Sequence, residues 1–172
     1  MDTLSRLLSL YTIRTSLDIR CELAAPWVLD QPAATPGVAP FHVVVDGGAR
    51  VDVSGPDSLD LAPGDVVVFP GGSAHRLHAG AAADAAPVRP LAGDGPLQRH
   101  GNGGDGPGTA ILCGSFVFEG AARAALVRAL PEVMVVRASR ADDGPVLHGR
   151  VRLLQHETAS LGPGADVLVS QL

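Results

Sequence analysis

The 172-residue sequence predicts a mainly-β fold: a barrel of short strands, with one helix before it and helices after it. Three observations predict it. Twenty-one Gly and 14 Pro imply frequent turns, which suits a loop-rich β architecture better than a helical bundle. Short segments between residues 17 and 77 alternate apolar and polar side chains with the period of a strand. Hydrophobic residues make up 46% of the chain but aromatics only 3%, so a sizeable core must be built from Val, Leu, Ala and Ile.

The elements follow in order. Leu4, Leu7, Leu8 and Tyr11 have helical spacing over residues 3–13, with Asp2 or Thr3 as the cap. Leu17, Ile19, Cys21 and Leu23 alternate along a half-buried strand with Cys21 facing inward, and Ala25 to Leu29 continues as a second extended piece. Phe41 to Asp46 is a strand, and Asp46-Gly47-Gly48 signals a hairpin. Arg50 to Ser54 and Leu59 to Leu61 alternate again. Pro63-Gly64 suits the centre of a type II turn, Asp65 to Phe69 reads as a strand buried on both faces, and Pro70-Gly71-Gly72 turns into a strand over Ala74 to Leu77.

Residues 79–108, rich in Ala, Gly, Pro and Asp, are expected to form a long mobile loop. Its Gly-Asn-Gly-Gly-Asp-Gly run lacks the Gly-Lys-Ser/Thr and the strand-to-helix setting of a phosphate-binding loop. Thr109 to Phe118 is a strand, Ala121 to Leu130 a short helix stopped by Pro131, and Val133 to Val136 a brief apolar segment. Residues 146–160 are helical, with Val146, Leu147, Val151 and Leu154 on one face. Gly162-Pro163-Gly164 breaks that helix, and a further one starts at Ala165. These readings divide the chain into a barrel over 1–140 and a helical dimerisation or linker region over 141–172. A chain that stops inside a helix is expected to continue naturally past Leu172.

Charge excludes some functions. The net charge is -5 and the basic residues are interspersed with acids, which leaves no basic patch for nucleic acid. All the basic residues are Arg, a usage that fits a GC-rich bacterial genome. The acidic start does not read as a signal peptide, and no apolar run is long enough to span a bilayer. A cytoplasmic setting with reduced thiols is expected for the two cysteines, Cys21 and Cys113.

Gly64, Pro70, Gly72 and His75 match G-x5-P-x-G-x2-H at every fixed position, and this segment resembles the second motif of the cupin fold. The first motif is degraded. Phe41 to Gly47 sits where a cupin has its strand ending in acid–Gly, the H-x-H-x3–4-E ligand set expected upstream is missing, Pro40 falls about where the motif's glutamate belongs, and His42 lies two residues on, on the same face of the strand. The wider order resembles the N-terminal cupin domain of AraC-type bacterial transcription regulators. It runs from the N-terminal helix through Cys21 to Trp27, Phe41-His42, the Gly64–His75 motif, a Gly-rich loop and Leu112 to Phe118 to a closing helical pair. The resemblance implies a cupin-type, jelly-roll-like barrel that senses an effector and forms a homodimer. DNA would be bound only through a separate helix-turn-helix half.

Within that frame Cys21, His42, His75 and Cys113 form the candidate site. Each lies on a strand and can face the barrel interior. The resemblance implies that the strands of His42 and His75 pair. A Cys2His2 set suits tetrahedral zinc. Cys21 and Cys113 could instead form an oxidant-sensing thiol pair, given suitable geometry and an activated thiol, or all four could simply pack as core groups. Trp27 and Phe41 are candidates for lining a ligand pocket, with core packing the alternative for Trp27. His78, His100, His148 and His156 read as surface residues. Asp65 reads as an acceptor of backbone N–H bonds in its turn, and Asp142-Asp143 as solvated acids.

The expected function is therefore a non-catalytic sensing and dimerisation domain that takes a small-molecule effector or metal and has no membrane partner. The alternative is a metal-dependent cupin enzyme of the dioxygenase or isomerase type. A degenerate barrel used only for dimerisation is the third reading.

Overall fold

A computed structural model describes residues 13–54, 57–119 and 123–138. Its strands are β1 (Ile13–Ala24), β2 (Trp27–Gln31), β3 (Val38–Asp46), β4 (Ala49–Asp52), β5 (Ser58–Leu61), β6 (Val66–Val68), β7 (His75–Ala79), β8 (Arg89–Leu91), β9 (Gln98–Gly101), β10 (Gly108–Phe118) and β11 (Met134–Val136). One short helix, α1 (Arg123–Ala129), precedes β11. The strands form a seven-stranded sheet, β11-β6-β3-β10-β1-β9-β8, and a four-stranded sheet, β2-β7-β4-β5.

The two sheets enclose a single inner core. The larger sheet contributes Cys21, Leu23, Val44, Val67, Ile111 and Cys113, and the smaller one Trp27, Ala49, Val51, Leu61 and Leu77. Few aromatics are needed, because β-branched and Leu side chains fill a sandwich well. A second cluster, Phe41, Val43, Val45 and Leu112, occupies the opposite face of the larger sheet.

The turn chemistry falls where the sequence places it. Asp65 N–H donates to Ala62 C=O (3.0 Å) and Gly64 has φ 89°, the left-handed value that the third residue of a type II turn requires. Gly72 N–H likewise donates to Phe69 C=O across Pro70-Gly71 (2.9 Å). Asp65 does accept backbone N–H bonds, from Ala62 (3.0 Å) and Ala138 (3.0 Å), and it also pairs with Arg137 (2.8 Å). It thereby ties the chain after β11 to the β5–β6 turn.

Four expectations need correction. Residues 79–108 are not one long loop: β8 and β9 form a ribbon, and β9 runs parallel to β1 and extends the larger sheet. β1 starts at Ile13, which the helical reading had included. Leu17 does not share a face with Cys21, because the register against β10 slips between Leu17 and Ile19. The extra residue sends Leu17 to the Phe41 cluster and leaves Ile19, Cys21 and Leu23 facing the inner core. Finally, the strands of His42 and His75 do not pair. β3 bonds β10 and β6 in one sheet, whereas β7 bonds β2 and β4 in the other. The N-terminal helix over residues 3–12 and the helices of the 141–172 region lie outside the described residues.

Candidate functional site: a thiol–imidazole chain in the core

The structure brings Cys21, His42, His75 and Cys113 together, and strand register explains how. On the inner face of the larger sheet, Cys113 of β10 lies directly opposite His42 of β3. On its other side Cys113 lies opposite Ile19, and Cys21 opposite Ile111, so the two cysteines are diagonal neighbours. His75 reaches the group from the facing sheet. All four are buried, Cys21 at 1% and Cys113 at 8% exposure.

They form a line of hydrogen bonds. Cys21 and Cys113 are free thiols that lie diagonally across the β1–β10 pair at the head of this line. Cys113 Sγ lies 3.1 Å from His42 Nδ1, His42 Nε2 lies 2.8 Å from His75 Nε2, and His75 Nδ1 lies 2.8 Å from Ser73 C=O. Phe69 stacks on His75 at 3.6 Å, with the rings 7° from parallel, and holds its plane.

The last bond sets the polarity of the rest. A carbonyl only accepts, so His75 Nδ1–H must donate to Ser73. Neutral His75 then has a lone pair on Nε2, and His42 Nε2–H must donate to it. His42 Nδ1 is left as an acceptor, and the Cys113 thiol supplies the proton. The tautomers follow from this logic of donors and acceptors.

Both imidazoles are held neutral. Burial, reinforced by the neighbouring His75, lowers the His42 pKa to about 3. Burial also lowers His75, partly opposed by the Ser73 carbonyl. The thiols diverge. A hydrogen bond between the thiols favours the Cys21 thiolate and lowers its pKa against the opposing effect of burial; Cys113, with one S–H, can give it only by turning from His42. The same bond, with burial, raises Cys113 well above the ordinary thiol range. Cys21 is thus the thiol that ionises first.

This arrangement tests the fit to a metal. His42 commits one nitrogen to Cys113 and the other to His75, so the four side chains form a line and do not converge on one point. Among the described residues no three His, Cys, Asp or Glu side chains are grouped so as to hold a metal ion.

Trp27 and Phe41 are not brought together. Trp27 is 0% exposed within the inner core, and its Nε1–H has no partner among the described residues. Phe41 lies on the other face of the larger sheet against Phe116, at 4.8 Å between ring centroids. A cleft of about 300 Å³ between Glu22, Asp46, Asn102 and Thr109 includes neither. His78, read as a surface residue, is largely covered and lies 3.1 Å from Asp52. His100, read as solvated, is on β9 with a buried Nε2. Its signal was the lone His in a Gln98-Arg99-His100 run, too short to register as a strand. Asp142-Asp143, His148 and His156 lie outside the described residues.

A mainly-β sandwich built on the Gly64–His75 turn-and-strand unit defines the cupin class. The chain belongs to the cupin family: a cupin model matches residues 2–172. The chain is 30% identical to the RCS-specific HTH-type transcriptional activator RclR of Escherichia coli over 174 residues, which is 100% of this chain and 52% of RclR. It is 26% identical to an uncharacterized HTH-type transcriptional regulator of Haemophilus influenzae, with 100% and 55% covered. The chain therefore spans about half the length of these curated relatives. Among solved structures, YhaK of Escherichia coli matches at 14% identity and TM-score 0.42, with 74% of this chain and 43% of YhaK covered. ToxT of Vibrio cholerae matches at 7% identity and TM-score 0.43, with 93% and 54% covered. No helix among the described residues is long and apolar enough to cross a membrane.

Proposed function

We propose that this chain is the sensing and dimerisation part of an AraC-type transcription regulator of the bacterial cytoplasm, and that it reads its signal at Cys21 and Cys113 as a thiol–disulfide switch. The observation that carries the reading is the diagonal placement of two free, buried thiols on the paired strands β1 and β10, with the Cys21 pKa lowered and the Cys113 pKa raised. Relatives named as HTH-type transcriptional regulators support the regulatory role, and the "RCS-specific" name of one fits a chemical signal. DNA contact belongs to a helix-turn-helix half, in keeping with the net charge of -5.

The step balances with a two-electron oxidant of the type HO–X. The Cys21 thiolate attacks the oxygen, giving Cys21–SOH and X⁻. Cys113–SH then attacks the Cys21 sulfur, and the S–S bond forms as water leaves. The diagonal placement supplies the output. Diagonal residues across a strand pair lie about 7–8 Å apart, whereas a disulfide needs Cα atoms within roughly 7 Å. Closing the bond therefore pulls β1 and β10 together, in the centre of the larger sheet.

One equivalent of hydrogen peroxide, followed by non-reducing peptide mapping, tests this. The expected product is one intramolecular Cys21–Cys113 disulfide, reversed by dithiothreitol and absent in Cys21→Ser. Two thiols still free after oxidation would refute it. Elemental analysis of the same protein tests zinc, which would require His42 to release one of its bonds; stoichiometric zinc lost in both Cys→Ser variants would replace the disulfide with a metal-held switch. Substrate turnover lost in His75→Ala would favour the cupin-enzyme alternative.

A further inference from the structure

Among the described residues, His100 is an imidazole beside Cys21 that takes no part in the Cys113–His42–His75 line. In the parallel pairing of β1 and β9, His100 lies directly opposite Cys21. Paired residues in neighbouring strands project to the same face, so both face the inner side of the sheet. The flanking residues confirm the alternation: Arg99 pairs on the outer side with Glu22 at 2.5 Å. His100 Nε2 is buried and has no partner among the described residues, a rare and costly state for a polar atom.

The wall that carries His100 is thin. Every side chain of β8 is exposed, as are Gln98 and Arg99 of β9. The ribbon joins the barrel through four register pairs to β1. Asn102 anchors it beyond β9, accepting from Ala24 N–H (2.9 Å) and donating to Ala24 C=O (2.7 Å). The apolar anchoring of the ribbon is limited to Leu97 and the adjoining Val88, each only partly buried, and a segment with so little apolar burial opens at a lower free energy than the rest of the fold. Cys21, at 1% exposure, has the hydrogen-bonded β10 on one side and this ribbon on the other. The fully buried Trp27 flanks the same seam, since it bridges Ala86 at the start of the ribbon segment. Its Nε1–H is also unspent.

We propose that the β8–β9 ribbon is the door through which a small polar oxidant reaches Cys21, and that His100 on its inner side is a further residue of the sensing site, lining that passage. This rests on the thiol-switch reading for its purpose, but its test needs no disulfide. Opening the ribbon uncovers Cys21 and leaves Cys113, one strand further in, covered by β1. His100 offers a hydrogen bond to a molecule such as a hydroperoxide as it enters.

The experiment follows the two cysteines separately by mass spectrometry in the reduced, chelator-treated chain. Iodoacetamide is the neutral probe and hydrogen peroxide the polar one. Asn102→Ala is expected to speed alkylation of Cys21 about three- to tenfold with Cys113 unchanged, whereas Arg76→Gln on the opposite sheet leaves both rates alone. Equal acceleration at both cysteines, or none at Cys21, overturns the door. In the Cys113→Ser background, His100→Phe is expected to slow peroxide oxidation of Cys21 several-fold without altering its alkylation, and His100→Gln to recover most of the rate. If Phe changes both reactions equally, His100 is only packing. Failure of the thiol-switch reading shows separately, as absence of the Cys21–Cys113 disulfide.

Discussion

Stability should fall steeply between neutral and mildly acidic pH because of His42. Its folded-state pKa, lowered to about 3 by burial and by His75, lies below the roughly 6.5 expected in an unfolded chain. Between those values the unfolded chain binds a proton that the folded chain refuses, so acid favours unfolding. Each pH unit in that window costs about 1.4 kcal/mol. At pH 5, about 1.5 units below the unfolded value, the loss is about 2 kcal/mol, and near pH 3 it approaches about 5 kcal/mol. His75 is lowered too and adds in the same direction. Glu22 and Asp52, whose pKa values are also lowered, forfeit stability mainly below their unfolded values near pH 4, which leaves pH 5 to 8 to the imidazoles and to Cys21, whose lowered pKa adds a slope of the same sign toward the upper end. The assay is urea denaturation at 25 °C, followed by Trp27 fluorescence, with reductant and chelator present. Wild type should lose at least about 2 kcal/mol from pH 8 to pH 5. His42→Leu, though less stable at every pH, should keep only the His75 and Cys21 parts of the slope. A wild type equally stable at both pH values, or a His42→Leu variant with the full slope, would refute a neutral buried His42.

Three further outcomes are expected. Asp65→Ala removes an acceptor for Ala62 N–H, Ala138 N–H and Arg137 and should cost about 3 kcal/mol in urea denaturation; a change under about 0.5 kcal/mol, typical of neutral surface sites, would deny it that role. Gly47→Ala would place a Cβ 2.2 Å from Gly108 C=O at φ 73° and should lower stability by about 2 kcal/mol or more, read as a drop in Tm; an unchanged Tm contradicts the close approach. Cys113→Ala withdraws the hydrogen bond that lowers the Cys21 pKa, so iodoacetamide should modify Cys21 more slowly at pH 7.5; a faster reaction would show that Cys113 had merely shielded it.

The barrel was legible because its signals are local. Pro63-Gly64 and Pro70-Gly71-Gly72 dictate turns through backbone chemistry alone, and period-2 runs mark the strands between them. Choosing Cys21, His42, His75 and Cys113 as one group was also possible, since the Gly64–His75 motif fixes the fold and inward faces can be counted along each strand. Their connection was not. The route between His42 and His75 crosses from sheet to sheet, a long-range fact that no spacing encodes. Leu17 was misplaced because a bulge turns on register, and Asp18 looks the same whether or not it is extra. The β8–β9 ribbon was missed because Arg89-Pro90-Leu91 and Gln98-Arg99-His100 lack alternation. They become strands because the edge of β1 offers β9 a partner and β9 in turn offers one to β8.

The fixed direction of the hydrogen-bond line has a consequence for any change at Cys113. Every proton from the thiol to Ser73 C=O is committed, so the line behaves like a row of one-way couplings with no spare. A Cys113 sulfur without its hydrogen gives His42 Nδ1 nothing to accept. If His42 turns its proton round to face that sulfur, its Nε2 lone pair meets the lone pair of His75 Nε2, and the 2.8 Å contact becomes repulsive. Either way the barrel forfeits one buried hydrogen bond, worth about 1–3 kcal/mol when left unmade. The second option severs the link between the two sheets. Removing a single hydrogen atom in one layer is thereby converted into a mismatch felt in the other.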